Sequence, residues 1–139
     1  MNWITWSLLS ALFAGVTAIL AKVGVEGINS SLATAIRTTV VLLFTWLLAI
    51  PALRQSGLAG MSRKTWIFLA LSGVATGLSW ICYFRALQLG KASQVAPIDK
   101  LSVVIAILLA VAFLGERLTK VQSVGALLIV SGVVLLAIK

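Results

Sequence analysis

The sequence contains no histidine, one cysteine and few acidic residues, and each shortage excludes a class of function. Without histidine, the chain lacks the commonest general base and metal ligand. Cys82 is the single cysteine, so no disulfide can form within the chain. The three acids, Glu26, Asp99 and Glu116, leave little for metal-dependent or triad chemistry. We therefore expect a protein that is not an enzyme and that carries no cofactor or metal.

Hydrophobic residues are what the sequence has in excess. They make up 61% of the 139 residues, whereas charged residues make up 10%, and a soluble domain of this size would expose far more charge. The formal net charge is +8, but the basic residues stand singly or in pairs in short connectors and form no stripe on a polar face. We interpret them as contacts to anionic lipid headgroups and expect no binding to nucleic acid.

Five apolar stretches are long enough to cross a bilayer, which takes about 20 residues at a rise of about 1.5 Å each. They cover residues 3–21, 32–50, 65–89, 93–114 and 121–138. The first stretch lacks the preceding lysine or arginine of a signal peptide, so we expect it to be retained. Short turns favour antiparallel packing of successive helices. The predicted fold is all-α: one membrane domain, residues 1–139, with five transmembrane helices in a single bundle.

Polar residues and prolines suggest where these helices begin and end. We expect Asn29, Ser30 or Ser31 to cap the second helix and Ser93 to cap the fourth. Pro51 is expected just beyond the end of the second helix. Glu116, in the last turn, is expected to cap a helix or to pair with Arg117 or Lys120.

The lysines and arginines are divided almost evenly between the two sides of the predicted bundle. On the side of the N-terminus lie Arg54, Arg63, Lys64, Arg117 and Lys120. On the opposite side lie Lys22, Arg37, Arg85, Lys91, Lys100 and Lys139. Leaving out the three that fall inside helices, Arg37, Arg85 and Lys100, gives five against three. So weak a bias permits insertion in both orientations. An odd number of spans with little bias suits a chain that pairs with an inverted copy of itself.

Glycines at helical spacing mark candidate helix contacts, because helices associate in lipid through close packing. Gly73 and Gly77 form a GxxxG pair in the third span, and Gly125 and Gly132 lie two turns apart in the fifth. Packing within one bundle and packing between two copies both explain such stripes. We take the Gly125/Gly132 stripe as the candidate dimer seam, because a terminal helix is free to meet a partner.

Two cations fall at membrane depth, where a charged side chain usually faces a cavity or a partner. Arg37 lies roughly 7 Å into the second span and Lys100 roughly 10 Å into the fourth. One interpretation is snorkelling together with an ion pair to Asp99; the other is a cationic cavity for an anionic or zwitterionic solute. Asp99 is the one acid that could titrate within the membrane. Adjacent helical positions diverge by about 100°, so we do not expect Asp99 to face Lys100 of its own helix. Asp99 could instead meet Arg37 or Lys100 of a neighbouring helix or of the other copy. Arg85, near a helix end, is expected to snorkel.

Other residues of the third and fourth spans could complete a solute site. Trp80 and Tyr83 stand three residues apart, with Thr76 one turn before Trp80, and two aromatic rings aligned with a threonine favour the wall of a solute cavity. Pro97 removes a backbone donor one turn before Lys100 and is expected to kink the fourth helix. Broken helices near polar residues are typical of transporter sites.

Several motifs occur in a fixed order along the second half of the chain. They are YFRAL at 83–87, KAS at 91–93, API at 96–98 and FLGERLT at 113–119, followed by Gln122, Gly125, Leu128, Ile129, Gly132 and Val133. This series resembles the EamA domain, the unit of the drug/metabolite transporter superfamily. Larger members of that superfamily carry two such domains in inverted orientation. The small multidrug-resistance relatives use a glutamate in the first span, which this chain lacks, so their exchange of protons for cations is not expected here.

The resemblance implies one half of an inverted-repeat transporter. We expect a secondary transporter, with export the favoured direction, of a small metabolite or drug-like solute across a bacterial or archaeal inner membrane. It would work by alternating access as an antiparallel homodimer. The alternative is a non-transporting membrane scaffold, or one subunit of a hetero-oligomeric flippase or transporter.

Overall fold

The computed structural model of the protein describes residues 2–58 and 60–138, apart from the side chain of Ser56, and its regular elements are all α-helices. They are α1 (Trp3–Gly24), α2 (Ser30–Ser56), α3 (Arg63–Leu89), α4 (Ala92–Asp99), α5 (Leu101–Leu114) and α6 (Lys120–Ala137). Counting α4 and α5 as one segment, Ala92–Leu114, five helices are long and apolar enough to span a membrane. The predicted all-α membrane fold is confirmed. Lys139, which entered the charge count, lies outside the described residues.

The helices divide into two compact units. A central unit comprises Ala21–Gln88, and a terminal unit comprises Met1–Leu20 together with Leu89–Lys139. The central unit therefore holds the end of α1, all of α2 and nearly all of α3. The terminal unit holds most of α1 with α4, α5 and α6, in which α6 packs against both α4 and α5.

Helix α2 continues to Ser56, so the expectation that it ends before Pro51 is wrong. Pro51 cannot donate a hydrogen bond to the carbonyl of Leu47, but membrane helices tolerate this loss where apolar packing and neighbouring groups compensate. The helix closes where the Gly57 amide donates to the Leu53 carbonyl at 3.0 Å. At its start, the side chain of Asn29 accepts a hydrogen bond of 2.8 Å from the amide of Ser31. Of the three candidate caps, Asn29 is the one used.

The fourth span is interrupted at Lys100. The amide of Lys100 donates to the carbonyl of Pro97, and the amide of Val103 donates to the carbonyl of Lys100, both at 3.0 Å. These hydrogen bonds join residues three positions apart instead of four, so a tighter 3₁₀-type turn separates α4 from α5. The expected cap at Ser93 is wrong, because α4 already begins at Ala92 and its N-cap is Lys91, without a side-chain bond.

Hydrogen bonds from backbone amides and from a threonine cap the helix ends on either side of the turn between α5 and α6. Gly115 adopts a left-handed conformation with φ of 70°. The amides of Gly115 and Glu116 both donate to the Ala110 carbonyl, the bond from Glu116 measuring 3.3 Å, and so satisfy one of the last carbonyls of α5. Thr119 and Gln122 form a capping box at the start of α6. The expected capping by Glu116 therefore comes from its backbone amide, and Thr119 rather than Glu116 caps α6.

Burial in the central unit is concentrated where α2 begins and α3 ends. The buried residues of this unit with the lowest exposure are Val25, Ala33, Thr34, Phe84 and Leu87. Further along, apolar side chains are uncovered: Leu43 on α2 is 66% exposed and Val74 on α3 is 63% exposed. Such apolar surface is stable in lipid or against a partner helix and not in water.

Candidate solute-binding site

A cation–π cluster joins α2 to α3 within the central unit. The guanidinium carbon of Arg37 lies 4.3 Å from the ring centroid of Trp80 and 5.5 Å from that of Phe84. Trp80 and Phe84 are one turn apart, so helical geometry places both rings on the same face of α3. Arg37 is seven residues past the start of α2, roughly 10 Å along the helix. The cluster therefore sets a permanent positive charge inside a membrane-spanning segment.

The charge of Arg37 is stabilised by aromatic rings and not by an acid. Its electrostatic neighbours include Tyr83. No hydrogen bond or ion pair joins Arg37 to another of the residues 2–58 and 60–138, and the ion pair that the structure records involves other residues. A guanidinium offers five N–H donors in a planar fork. The donors of Arg37 thus have no acceptor within the described chain.

Phe84 is the member of the cluster that sequence reasoning missed. It is 2% exposed, whereas Trp80, Tyr83 and Arg37 are half-buried. The rings of Tyr83 and Phe84 are tilted by 60° with centroids 6.5 Å apart. Its four-residue spacing from Trp80, within the YFRAL motif, was the available signal. The prediction that Arg37, Trp80 and Tyr83 contribute to one site stays a prediction, now with Phe84 beside them.

The face of α3 that bears the cluster is covered at one end and open at the other. Gly73 and Gly77 share this face with Trp80 and Phe84, by their spacing of three or four residues. A Cβ atom added at either glycine would meet no atom within 4 Å. Thr76 beside them is exposed, and its hydroxyl donates to the Ser72 carbonyl of its own helix at 2.9 Å. The surface beside the two rings is therefore uncovered on the side of the glycines.

A set of polar contacts closes the opposite end, and we call it the polar clamp. The ammonium of Lys22 donates to the Leu87 carbonyl at 2.6 Å. The side-chain amide of Gln88 donates to the carbonyls of Val25 at 3.2 Å and Ile28 at 2.6 Å. The last carbonyls of a helix have no partner within it, so a lysine there satisfies one of them and opposes the helix dipole.

Arg85 belongs to the surroundings of this clamp. Its guanidinium donates to the side-chain oxygen of Gln88 at 3.2 Å, and its side chain is exposed. It thereby orients the amide that holds Val25 and Ile28. The expected snorkelling of Arg85 is compatible with this position, but the contact to Gln88 was not foreseen.

Lys100 and Asp99 form an ion pair in the terminal unit. The lysine nitrogen lies 3.4 Å from a carboxylate oxygen of Asp99, and the two side chains are 55% and 35% exposed. The expectation that these neighbours diverge is wrong, because the helix is interrupted at Lys100. The second predicted cation therefore already has a counter-charge.

The terminal unit also contains a cavity of about 430 Å³. It is lined by Val103, Ala106, Ile107, Ala110, Glu116, Leu118 and Gln122. Gly125 and Gly132, the candidate dimer seam, have no atom within 4 Å of an added Cβ. A side chain at either position would thus enter open space among the described residues.

Comparison with known proteins gives a consistent set of relatives. The EamA-like transporter family matches residues 1–138. An "uncharacterized transporter in cobO 3'region" of Sinorhizobium is 48% identical over 99% of this chain and 97% of its own length. The "uncharacterized transporter YxxF" of Bacillus subtilis is 26% identical over 98% of this chain and 42% of its own length. The "uncharacterized protein MJ1333.1" of Methanocaldococcus jannaschii is 30% identical over 94% of this chain and 93% of its own. No solved structure matches the chain.

Proposed function

Because the chain belongs to the EamA-like transporter family, we propose that it is a secondary transporter that exports a small solute across the cytoplasmic membrane. Transport would proceed by alternating access, with a solute site near the middle of the membrane exposed to one side at a time. Two relatives carry the name transporter, and five helices have the length and hydropathy of membrane spans.

The observation that carries the proposal is the stacking of Arg37 on Trp80 and Phe84 without an acid. A charged side chain within the membrane costs several kcal/mol and usually serves a ligand or a partner. Arg37 is best explained as the group that attracts the solute, with Trp80 and Tyr83 as walls and Thr76 beside them. The polar clamp would close one end of this site while the face at Gly73 and Gly77 stays accessible.

The second part of the proposal is an antiparallel homodimer. Three facts support it: the weak charge bias between the two sides, the uncovered apolar faces of the helices, and the relative from Sinorhizobium that matches this chain over 97% of its own length. The Gly125/Gly132 stripe is the proposed seam, since close packing of small residues drives association in lipid.

Transport is tested by a tolerance screen in a bacterium that produces the protein. Wild-type protein should raise tolerance to at least one metabolite or toxin above that of cells with an empty vector. Arg37→Ala should abolish this gain at equal abundance in the membrane, and Arg54→Ala, an exposed cation outside the cluster, should retain it. The same gain in the Arg37 variant would contradict the assignment of the site.

The dimer is tested with reporters of membrane orientation fused after the last residue. Dual insertion predicts signals from both sides of the membrane in comparable amounts. A single orientation in every copy would contradict the antiparallel homodimer and would favour a second, different subunit.

A further inference from the structure

The charges around Arg37 restrict the kind of solute that the site can accept. Neither α2 nor α3 contains an aspartate or a glutamate. The central unit has one acid, Glu26, in the exposed turn between α1 and α2. Asp99 is paired with Lys100, and Glu116 lines the cavity of the terminal unit. Neither α2 nor α3 thus supplies a carboxylate, and Arg37 is their cation away from the helix ends, since Arg54, Arg63, Lys64 and Arg85 lie within about one turn of an end.

This imbalance separates three classes of solute. A cationic solute is repelled by Arg37. A zwitterion satisfies Arg37 with its carboxylate but brings an ammonium for which α2 and α3 offer no acid, and burying an unpaired charge is costly. A monoanion neutralises Arg37 and brings no second charge that would need a partner. One positive charge matches one negative charge.

The aromatic rings determine the rest of the solute's chemistry. A guanidinium can use its faces for stacking and its edge for a bidentate bond to a carboxylate. Contact with Trp80 and Phe84 holds the Arg37 group against α3, and beside Gly73 and Gly77 the hydroxyl of Thr76 is already bonded within its own helix. An apolar body fits there, because the faces of the two rings supply dispersion contacts.

On these grounds we propose that Arg37, stacked on Trp80 and Phe84, binds a soluble organic monoanion with one carboxylate-like group and an apolar body. This inference rests on the proposed transport function, whose solute it specifies. A lipid phosphate is also a monoanionic acceptor and a second possible source of the charge. The soluble anion is favoured because stacking holds Arg37 against α3 instead of extending it toward the headgroups.

The test uses three probes that share an apolar body and differ in their charged groups. They are 3-phenylpropanoate, phenylalanine and phenethylamine, which share a phenylethyl body. The protein is purified in a phosphate-free maltoside detergent. Its thermal unfolding in the presence of each probe is monitored by circular dichroism. The expected result is a rise in Tm with 3-phenylpropanoate at concentrations at least tenfold below those needed for phenylalanine, and no rise with phenethylamine. Equal or better stabilisation by either amine, or no shift with any probe, would overturn the proposal.

Two controls separate charge from shape and from misfolding. The neutral amide, 3-phenylpropanamide, should fail to stabilise the wild-type protein, which tests the charge without any substitution. Arg37→Gln should remove the shift, Arg37→Lys should weaken it, and Arg54→Gln should leave it unchanged. A shift that persists in Arg37→Gln contradicts the assignment. If Arg37→Gln does not fold, the result with the neutral amide decides alone.

Lipid and transport arms complete the experiment. If phosphatidylglycerol in nanodiscs raises the Tm through Arg37 and 3-phenylpropanoate does not, the ligand is a headgroup and the proposal fails. Binding of the anion without faster flux in proteoliposomes would contradict the transport function but keep the anion site. Flux of a cation or zwitterion would keep transport and overturn the anion site.

Discussion

Two cations predicted at membrane depth have different surroundings. Arg37, in the central unit, is stacked on two aromatic rings and has no acid among the described residues. Lys100, in the terminal unit, meets the carboxylate of the residue before it. The same signal in the sequence therefore has two physical solutions, one that leaves charge for a ligand and one that neutralises it locally. The difference makes Arg37 the better candidate for solute binding.

The difference between Arg37 and Lys100 should have its largest effect on the affinity for the solute. A hydrogen bond to a charged group contributes about 1.5–3 kcal/mol, which corresponds to roughly tenfold to 100-fold in affinity. We expect Arg37→Gln to raise the Kd for 3-phenylpropanoate at least about tenfold. Lys100→Gln should change this Kd less than about twofold. Isothermal titration in detergent measures both values. Comparable losses in the two variants would show that the two cations act together.

The next effect concerns the polar clamp. Gln88→Leu removes two hydrogen bonds to carbonyls and should cost about 1–3 kcal/mol locally. Hydrogen exchange should become faster in the segment from Val25 to Ile28 and at the end of α3. Gln55→Leu, at the exposed end of α2, is the matched control and should leave that exchange unchanged. Unaltered protection in Gln88→Leu would mean that the clamp does not hold this end closed.

A smaller effect is expected from the aromatic stack. Trp80→Leu keeps an apolar side chain but removes a cation–π contact of about 0.5–2 kcal/mol. Thermal stability in detergent should fall by an amount in this range, and the affinity for the carboxylate probe should fall severalfold. Trp66→Leu, at the start of α3 and outside the cluster, should not affect binding. Equal binding losses in both variants would assign the effect to general loss of aromatic surface.

The smallest effect is expected at the pair between Asp99 and Lys100. Exposed ion pairs contribute less than about 1 kcal/mol, and both side chains are substantially exposed. A double-mutant cycle with Asp99→Asn and Lys100→Met should therefore give a coupling energy below that value in detergent. A larger coupling energy would show that the pair is buried by a partner or fixes the interruption of the fourth span.

Hydrophobic length and spacing were enough to predict the five spans and the candidate cations, because both properties are local in sequence. The number of spans agrees with the helices observed. The contact with Phe84 and the polar clamp were not predictable in the same way. They join residues about 50 to 65 positions apart, and no spacing rule relates the end of α1, the turn after it or α2 to α3.

The errors at helix ends have a common physical origin. Pro51 and Ser93 were judged by the usual preferences at helix ends, yet α2 passes through Pro51 and α4 starts before Ser93. Apolar context overrides such local preferences within membrane helices. The interruption at Lys100 is the clearest case, since it turned two neighbours that should diverge into an ion pair.

The central claim is that Arg37 binds the solute that the protein carries, and flux of 3-phenylpropanoate in proteoliposomes tests it most directly. Vesicles with the wild-type protein and with Arg54→Gln should exchange the labelled anion faster than protein-free vesicles, and those with Arg37→Gln should not. Equal flux through wild-type and Arg37→Gln protein would contradict the account.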